Sequence, residues 1–419
     1  VQKHRKNLIN PFFAILFHYF VRKYIKLLFK IITINNNNRM SKKTKTTTTN
    51  KKQLIIEDDT KVYNAVSLFS GLGGDALGMT QAGCKVIGYN ELNLNYCKSH
   101  DANLKECELI CDGKVTDISK LKDECFTKFK GKTDIIFAGF PCQGFSNAGK
   151  KSDDDPRNTL FLEFLRATKL IEPSLIIGEN VKGLVSRKTT SGELYINIIV
   201  SEFEKLGYNV IYKIFKTEKY GVPQSRERLI IVGVKKDNPY GWTPKFPEEV
   251  PCDPNLKSIV SYSMDGTIKI DPEWFSSIPD ECIIKKMDDT AEYPDNNGAH
   301  PYLLSKIKAT PAGMLYSGKQ HDNLFSFSKR ISPIHCEIVD IRQPSKTIIC
   351  SYDHQPRLFV PIQNASGCYL RMFTPDELKQ IQGFPCDYIV CGTKKEKIAQ
   401  IGNAVPPPLI KAVVEKIIK

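Results

Sequence analysis

This 419-residue chain has no Cys-x-x-Cys pair, no apolar run of twenty residues, no internal repeat and no acidic residue before Glu57. Each absence removes a class of protein. Thirteen cysteines at irregular spacings do not form the framework of a small secreted protein, and a chain this long needs no staples. The closest pairs, Cys107/Cys111 and Cys386/Cys391, lack His or Cys partners at zinc spacing, so no metal site is expected. The cysteines read as reduced packing thiols of an intracellular protein. Phe12–Val21 is an apolar run of ten residues broken by His18. A membrane span needs about 20, and no small-residue cleavage pattern follows to suggest a secretion signal.

The missing acids also relocate the charge. The formal net charge is +14, yet thirteen of the 60 Lys and Arg lie in residues 1–56. The remainder carries 47 basic and 46 acidic residues. A basic groove must therefore come from local clustering, and the overall pI is a poor argument for nucleic acid. The N-terminal segment, residues 1–61, has no core-forming pattern. Our reading takes Met40 as the true start, with a mitochondrial-type presequence as the alternative. Lys42-Lys43-Thr44-Lys45 and Lys51-Lys52 form at most a weak nuclear address.

Length implies more than one unit, since single cores stop growing near roughly 250 to 300 residues. Residues 62–236 alternate strand and helix signals and predict an α/β domain with a mostly parallel sheet. Residues 237–340 are rich in Pro and Gly with weak helical periodicity, and predict a smaller irregular domain. Residues 341–419 predict a return to the first domain, through a helix whose Thr374-Pro375-Asp376-Glu377 start is a capping box.

One strand end stands out. Asp134–Ala138 is a short apolar β segment, and Gly139, Pro141 and Gly144 then prevent its continuation. Cys142 falls at the carboxyl end of that strand, the edge of an open parallel sheet where ligands bind. A thiol there, near the helix-like run Leu160–Leu165, is set to ionise and act as a nucleophile. Earlier in the chain, Val66–Phe69 reads as a strand, Gly71-Leu72-Gly73-Gly74 as a turn into a helix, and Val86–Tyr89 as a second strand ending in Asn90-Glu91. Glycines let a ligand approach the backbone, and the carboxylate of Glu91 is placed for both hydroxyls of a ribose. These residues specify a nucleoside site without saying which nucleoside. An NAD-linked oxidoreductase fits them equally. Val115–Ile118 is predicted to end a third strand, Leu175–Ile177 to lead into Glu179-Asn180-Val181, and Arg228–Val234 to form another buried strand.

The ordered series FSGLGG (Phe69–Gly74), GYNE (Gly88–Glu91), TDI (Thr116–Ile118), GFPCQGFS (Gly139–Ser146), GENV (Gly178–Val181), QSRERLIIVG (Gln224–Gly233), RQPSKTI (Arg342–Ile348) and QIGNAVP (Gln400–Pro406) resembles the cytosine-5 DNA methyltransferase family in its compact prokaryotic-style form. Hydride transfer has no use for PCQ, ENV or RER, so the resemblance removes the NAD alternative. It implies a Rossmann-like S-adenosylmethionine-dependent methyltransferase fold and a target-recognition domain over 237–340. Cys142 would add to carbon 6 of cytosine as a covalent catalyst, and Glu179 would hold and protonate ring nitrogen 3. Arg228 would face the cytosine carbonyl. Arg226 is left open, either contacting the base and supporting the catalytic loop or pairing with Glu227 or an acidic loop residue.

For S-adenosylmethionine the resemblance implies Phe69, Gly71, Gly73 and Gly74 at its methionine and ribose portion, Glu91 on the ribose, and Asp117 with Ile118 at adenine. Leu160, Asn403 and Val405 complete the match. The target base would be flipped out of double-stranded DNA, with residues 146–158, including Lys150, Lys151, Asp153–Asp155 and Arg157, as a lid. Lys285, Lys286, Lys306, Lys308, Lys319, Lys329 and Arg330 would meet phosphates. The expected enzyme is a monomer without metal, working in the nucleus if eukaryotic and otherwise in the cytoplasm. A tRNA cytosine-5 methyltransferase is the alternative, and a catalytically inert DNA-binding regulator the second. Pro-Cys-Gln followed by Gly-Phe-Ser favours DNA over RNA, and Cys125-Phe126-Thr127 lies on the wrong side of the nucleophile to argue otherwise.

Overall fold

The computed structural model describes residues 61–111, 113–141, 160–309, 324–328 and 335–419. Cys142, the 146–158 segment, Lys319, Lys329, Arg330 and the N-terminal expectations for residues 1–60 lie outside them.

Strand β1 (Asn64–Leu68) lies inside the first sheet, its apolar residues buried on both faces. β2 (Lys85–Asn90) and β4 (Ile135–Ala138) flank it in parallel, with Leu68 opposite both Asn90 and Ala138. β5 (Leu175–Val181) runs parallel to β4, with Gly178 opposite Ala138. That register brings Phe69, Glu91, Gly139 and Glu179 to one edge. β3 (Glu108–Leu109) extends the sheet beside β2. At the other side β8 (Glu227–Lys235) lies antiparallel between β5 and β6 (Tyr208–Lys216), giving the order β3-β2-β1-β4-β5-β8-β6.

Period-2 alternation divides the core. Val66, Leu68, Ile136, Ala138 and Ile176 face Phe164 and Ala167 of one helix and Ile199 and Phe203 of another. Ala65, Ile135, Phe137 and Ile177 face Ala76, Met79, Ile410 and Val413. The helices are, in chain order, α1 (Gly74–Gln81), α2 (Leu94–Asn103), α3 (Glu124–Thr127), α4 (Leu160–Ile171), α5 (Tyr195–Lys205), α6 (Pro301–Ala309), α7 (Pro375–Ile381), α8 (Lys394–Asn403) and α9 (Pro407–Ile418). Burying a ring such as Phe137 completely contributes roughly 1.5 to 3 kcal/mol.

The second sheet departs from the expected boundary at residue 340. β9 (Thr267–Ile270), β10 (Ile284–Lys286), β11 (Asn296–Asn297), β12 (Phe325–Phe327) and β13 (Cys336–Ile338) join β15 (Leu358–Asn364) and β16 (Gly367–Met372), an antiparallel hairpin. Between them β14 (Ser345–Lys346) touches back on β7 (Gln224–Ser225). The chain thus returns, leaves again for the hairpin, and returns finally at α7. The reason is burial: Leu358–Ile362 and Cys368–Met372 are buried on both faces, apolar but for Arg371, which pairs with Glu377, and must lie inside a sheet.

Three local expectations are corrected. The third strand is Glu108–Leu109, whereas Val115–Asp117 is loop and Ile118–Lys120 a single 3-10 turn, because Asp117 caps the Ser119 N–H. Helix α8 was not expected; Thr393 and Glu396 start it with a second capping box. Cys111 and Cys125 are not separate packing thiols: they face each other with Cα atoms 5.4 Å apart, within disulfide reach. They lie fourteen positions apart in sequence, and only the fold brings them together. Among the described residues, no helix is long and apolar enough to cross a membrane.

Candidate active site

Two clusters form on the shared edge. The first surrounds the turn after β1. Phe69 adopts a left-handed φ of 56°, uncommon for a side chain this bulky and characteristic of functional turns. Gly71 and Gly73 follow with φ of 57° and 87°. A Cβ on Gly74 would lie 2.1 Å from the Val405 carbonyl oxygen, so the C-terminal segment packs directly on this turn. A Cβ on Gly71 would meet nothing nearer than Tyr96 Cδ2 at 4.0 Å, leaving an open cradle.

Glu91 closes that cradle. Its Oε2 accepts the Gly71 N–H, and its Oε1 accepts those of Leu92 and Asn93, each at 2.8 Å. Burial raises the Glu91 pKa against the pull of these three donors. Asn90 donates to the Thr116 carbonyl at 3.1 Å and draws in the loop carrying Asp117 and Ile118. Arg166 of α4 holds the same loop from outside, donating to the carbonyls of Ile118 at 3.0 Å and Leu121 at 3.1 Å. Leu160 opens α4 and packs beside Ile118's cluster. Asn403 ends α8, and its amide donates to the Tyr96 hydroxyl at 3.2 Å.

The second cluster lies at the ends of β4 and β5. Arg228 Nε is 2.8 Å from Glu179 Oε1, with side chains only 14% and 12% exposed. Burial lowers the Arg228 pKa and the Glu179 carboxylate opposes it. Such a largely buried pair holds its geometry better than a surface ion pair. A Cβ on Gly139, three residues before Cys142, would sit 3.8 Å from Glu179 Oε2 and 3.7 Å from Val405 Cγ2. Buried Asn180 donates to the Phe140 carbonyl at 3.0 Å, fixing the backbone two residues before Cys142.

Among the described residues, Arg226 pairs with no carboxylate, Glu227 included. It is buried, and its guanidinium donates to the Ile348 carbonyl at 2.9 Å and the Gly402 carbonyl at 3.0 Å. It ties three segments together behind the site. Burial, reinforced by Arg228, pulls its pKa down. Gln224 and Gln382 extend this buried network to the Ile348 N–H and the Ala404 carbonyl.

The structure therefore gathers Phe69, Gly71, Gly73, Gly74, Glu91 and Asn403 in one cluster and Glu179 and Arg228 in the other, with Val405 between. Asp117 and Ile118 approach the first cluster through Asn90 and Arg166. Sequence reasoning missed Tyr96, Arg166 and Asn180 as parts of the site. Asn180 had a signal, since it is the middle residue of ENV; the other two are recognised only by their partners.

Register, turn and carboxylates agree with the family expectation, and a comparison with known proteins decides it. The family model for C-5 cytosine-specific DNA methylases matches residues 63–419. The chain belongs to that family. Its similarity to the type II methyltransferase M.PspPI of Psychrobacter sp. is 32% identity over 371 residues, spanning 86% of this chain and 80% of the relative. With M.Eco47II of Escherichia coli it shares 31% over 382 residues, spanning 86% and 81%. The methyltransferase EhMeth of Entamoeba histolytica superposes with a TM-score of 0.57 at 18% identity, covering 85% of this chain and 97% of that one, a likeness of fold alone. The protein is a DNA cytosine-5 methyltransferase with a Rossmann-like methyltransferase fold, and the family implies S-adenosylmethionine as donor.

The first cluster fits that donor. Gly71 is open to a ligand, Glu91 keeps a lone pair free beyond its three backbone donors, and the Asn403 amide is exposed. Among the described residues, no group of three or more His, Cys, Asp or Glu could hold a metal ion.

Proposed function

We propose that Cys142 is the nucleophile of this methyl transfer, with Glu179 and Arg228 acting on the base and the second sheet reading double-stranded DNA. The observation that carries the reading is the meeting of the β4 exit with the Glu179–Arg228 pair, 3.8 Å from the Cβ position of Gly139. Asn180 supports it by fixing Phe140.

Carbon 5 of cytosine is a weak nucleophile. The Cys142 thiolate adds to carbon 6, forming a C–S bond and moving an electron pair into the ring. Glu179 holds a proton at ring nitrogen 3, and Arg228 offers a fixed donor where charge gathers on the carbonyl. The bound donor supplies an electrophilic methyl group. Once carbon 5 carries it, the carbon 5 proton leaves to water, the C–S pair returns to sulfur, and the thiolate is restored. Phe69, Gly71, Gly73, Gly74, Glu91, Asp117, Ile118, Leu160, Asn403 and Val405 would hold the donor.

The target base leaves its stack at a cost of a few kcal/mol. In the second sheet's region Lys285 pairs with Asp280 at 2.8 Å and Lys286 stands over the Tyr262 ring at 5.4 Å; on this reading both would turn to backbone phosphates when DNA binds. The enzyme acts as a monomer in the compartment that holds its DNA: the nucleus in a eukaryote, the cytoplasm otherwise.

Labelled donor tests this with duplex DNA and transfer RNA side by side. Label is expected on duplex cytosine, with Cys142→Ala lowering turnover at least about a thousandfold. Label on transfer RNA alone, or full turnover by Cys142→Ala, would contradict it.

A further inference from the structure

The first cluster contains one aromatic side chain with no assigned task. Tyr96 sits in the first turn of α2, where the Asn93 cap accepts its backbone N–H at 3.4 Å. Its ring is the nearest atom group to the open side of Gly71, at 4.0 Å, and its hydroxyl accepts the Asn403 amide at 3.2 Å. Four hydrogen bonds, joined through the covalent frames of Asn93 and Tyr96, link the Gly71 N–H to Glu91, Glu91 to the Asn93 N–H, the Asn93 side chain to the Tyr96 N–H, and the Tyr96 hydroxyl to Asn403. Residues from opposite ends of the folded chain meet at this hydroxyl.

We propose that Tyr96 is a positioning residue of the donor pocket, whose hydroxyl holds the Asn403 amide across the open side of the Gly71 turn. The inference rests on the donor-pocket reading above. Its strength is that the seam between α2 and α8 does not need this contact to stay closed. Asn95 donates to Glu396 at 2.7 Å, Ser99 to Gln400 at 2.6 Å, and Asn103 to the Ile389 carbonyl at 2.8 Å. Gln400 and Ser99 further bind the Cys391 backbone at 2.7 and 2.8 Å. The Tyr96–Asn403 bond is the member of the set nearest the cradle, and both its residues are solvent-accessible. Losing it costs little structure and leaves the Asn403 amide free to rotate away from the donor.

The experiment uses the full-length protein and titrates the demethylated product, S-adenosylhomocysteine, by calorimetry, so that binding is read without turnover. Tyr96→Phe is expected to weaken product binding about three- to tenfold, the range of one hydrogen bond. It should raise the donor KM by a similar factor, leave kcat at saturating donor unchanged, and keep Tm within about 1 °C. Tyr96→Phe in an Asn403→Ala background should add nothing, because the two residues act through one bond. As a control, Ser99→Ala should lower Tm without changing product affinity. Unchanged affinity in Tyr96→Phe, additive losses in the double variant, or a Tm loss like that of Ser99→Ala would overturn the proposal. Failure of the wild type to bind product would overturn the donor-pocket reading beneath it.

Discussion

Glu91 and Glu179 stand at the ends of strands in the same sheet, and each is partly buried, but they are held in different ways. Glu91 is fixed by three backbone N–H groups. Among the described residues, Glu179 is held by one side chain, the Arg228 guanidinium. Backbone donors cannot be withdrawn, so Glu91 suits a constant task, binding a donor's hydroxyls in every turnover. A single ion-pair partner can be shared with an incoming base, so Glu179 suits a site whose proton and charge change during reaction. One sheet edge thus carries a static carboxylate and a responsive one.

The comparison breaks most visibly at Glu179. Glu179→Gln is expected to lower kcat by about 10²- to 10⁴-fold, the range of general acid–base catalysis, while calorimetric affinity for S-adenosylhomocysteine stays as in the wild type. Glu91→Gln should do the reverse. Losing charge-assisted hydrogen bonds of about 1.5 to 3 kcal/mol should weaken donor binding roughly ten- to a hundredfold, with kcat at saturation nearly preserved. If both variants lose donor affinity equally, the division of labour is wrong.

The paired arginines sharpen the same contrast. Arg226 binds two buried backbone carbonyls, so Arg226→Ala should cost about 2 to 4 kcal/mol in urea unfolding, through two acceptors left without donors. Arg228→Ala should cost less stability and more turnover. Reversal of that order would mean that Arg226, not Arg228, serves the base.

The smallest expected effect on turnover lies beneath the donor turn. Asp75 is fully buried, accepts a hydrogen bond from Ser67, and has its pKa pushed up to about 7, chiefly by burial. A carboxyl raised in the folded state binds protons more tightly there than when unfolded. Its contribution is therefore fully present below the unfolded value near 3.8 and is lost as pH rises towards about 7. Asp75→Asn should melt close to wild type at about pH 3.5 and above it at pH 8; a gap independent of pH would remove Asp75 as its source.

The sequence made parts of this legible for physical reasons. Strands β1, β2, β4 and β5 are apolar runs closed by Gly, Asn-Glu or Gly-Glu-Asn, so their ends, and the residues on them, could be read locally. Capping at Thr374 was equally local. The β15–β16 hairpin's place in the second sheet was not, because apolar runs do not name their neighbours. Arg226 was legible only through its motif neighbours, since the backbone carbonyls it binds, at Ile348 and Gly402, are more than a hundred positions away. Tyr96, Arg166 and the Cys111–Cys125 pair were hidden for the same reason.

The central claim is covalent addition by Cys142 beside the Glu179–Arg228 pair. Duplex DNA carrying 5-fluorocytosine at the target base blocks the final proton loss, so protein incubated with it and S-adenosylmethionine should become covalently linked, and peptide mapping should place the link on Cys142. A link at another cysteine, or none while ordinary duplex is still methylated, would contradict the account.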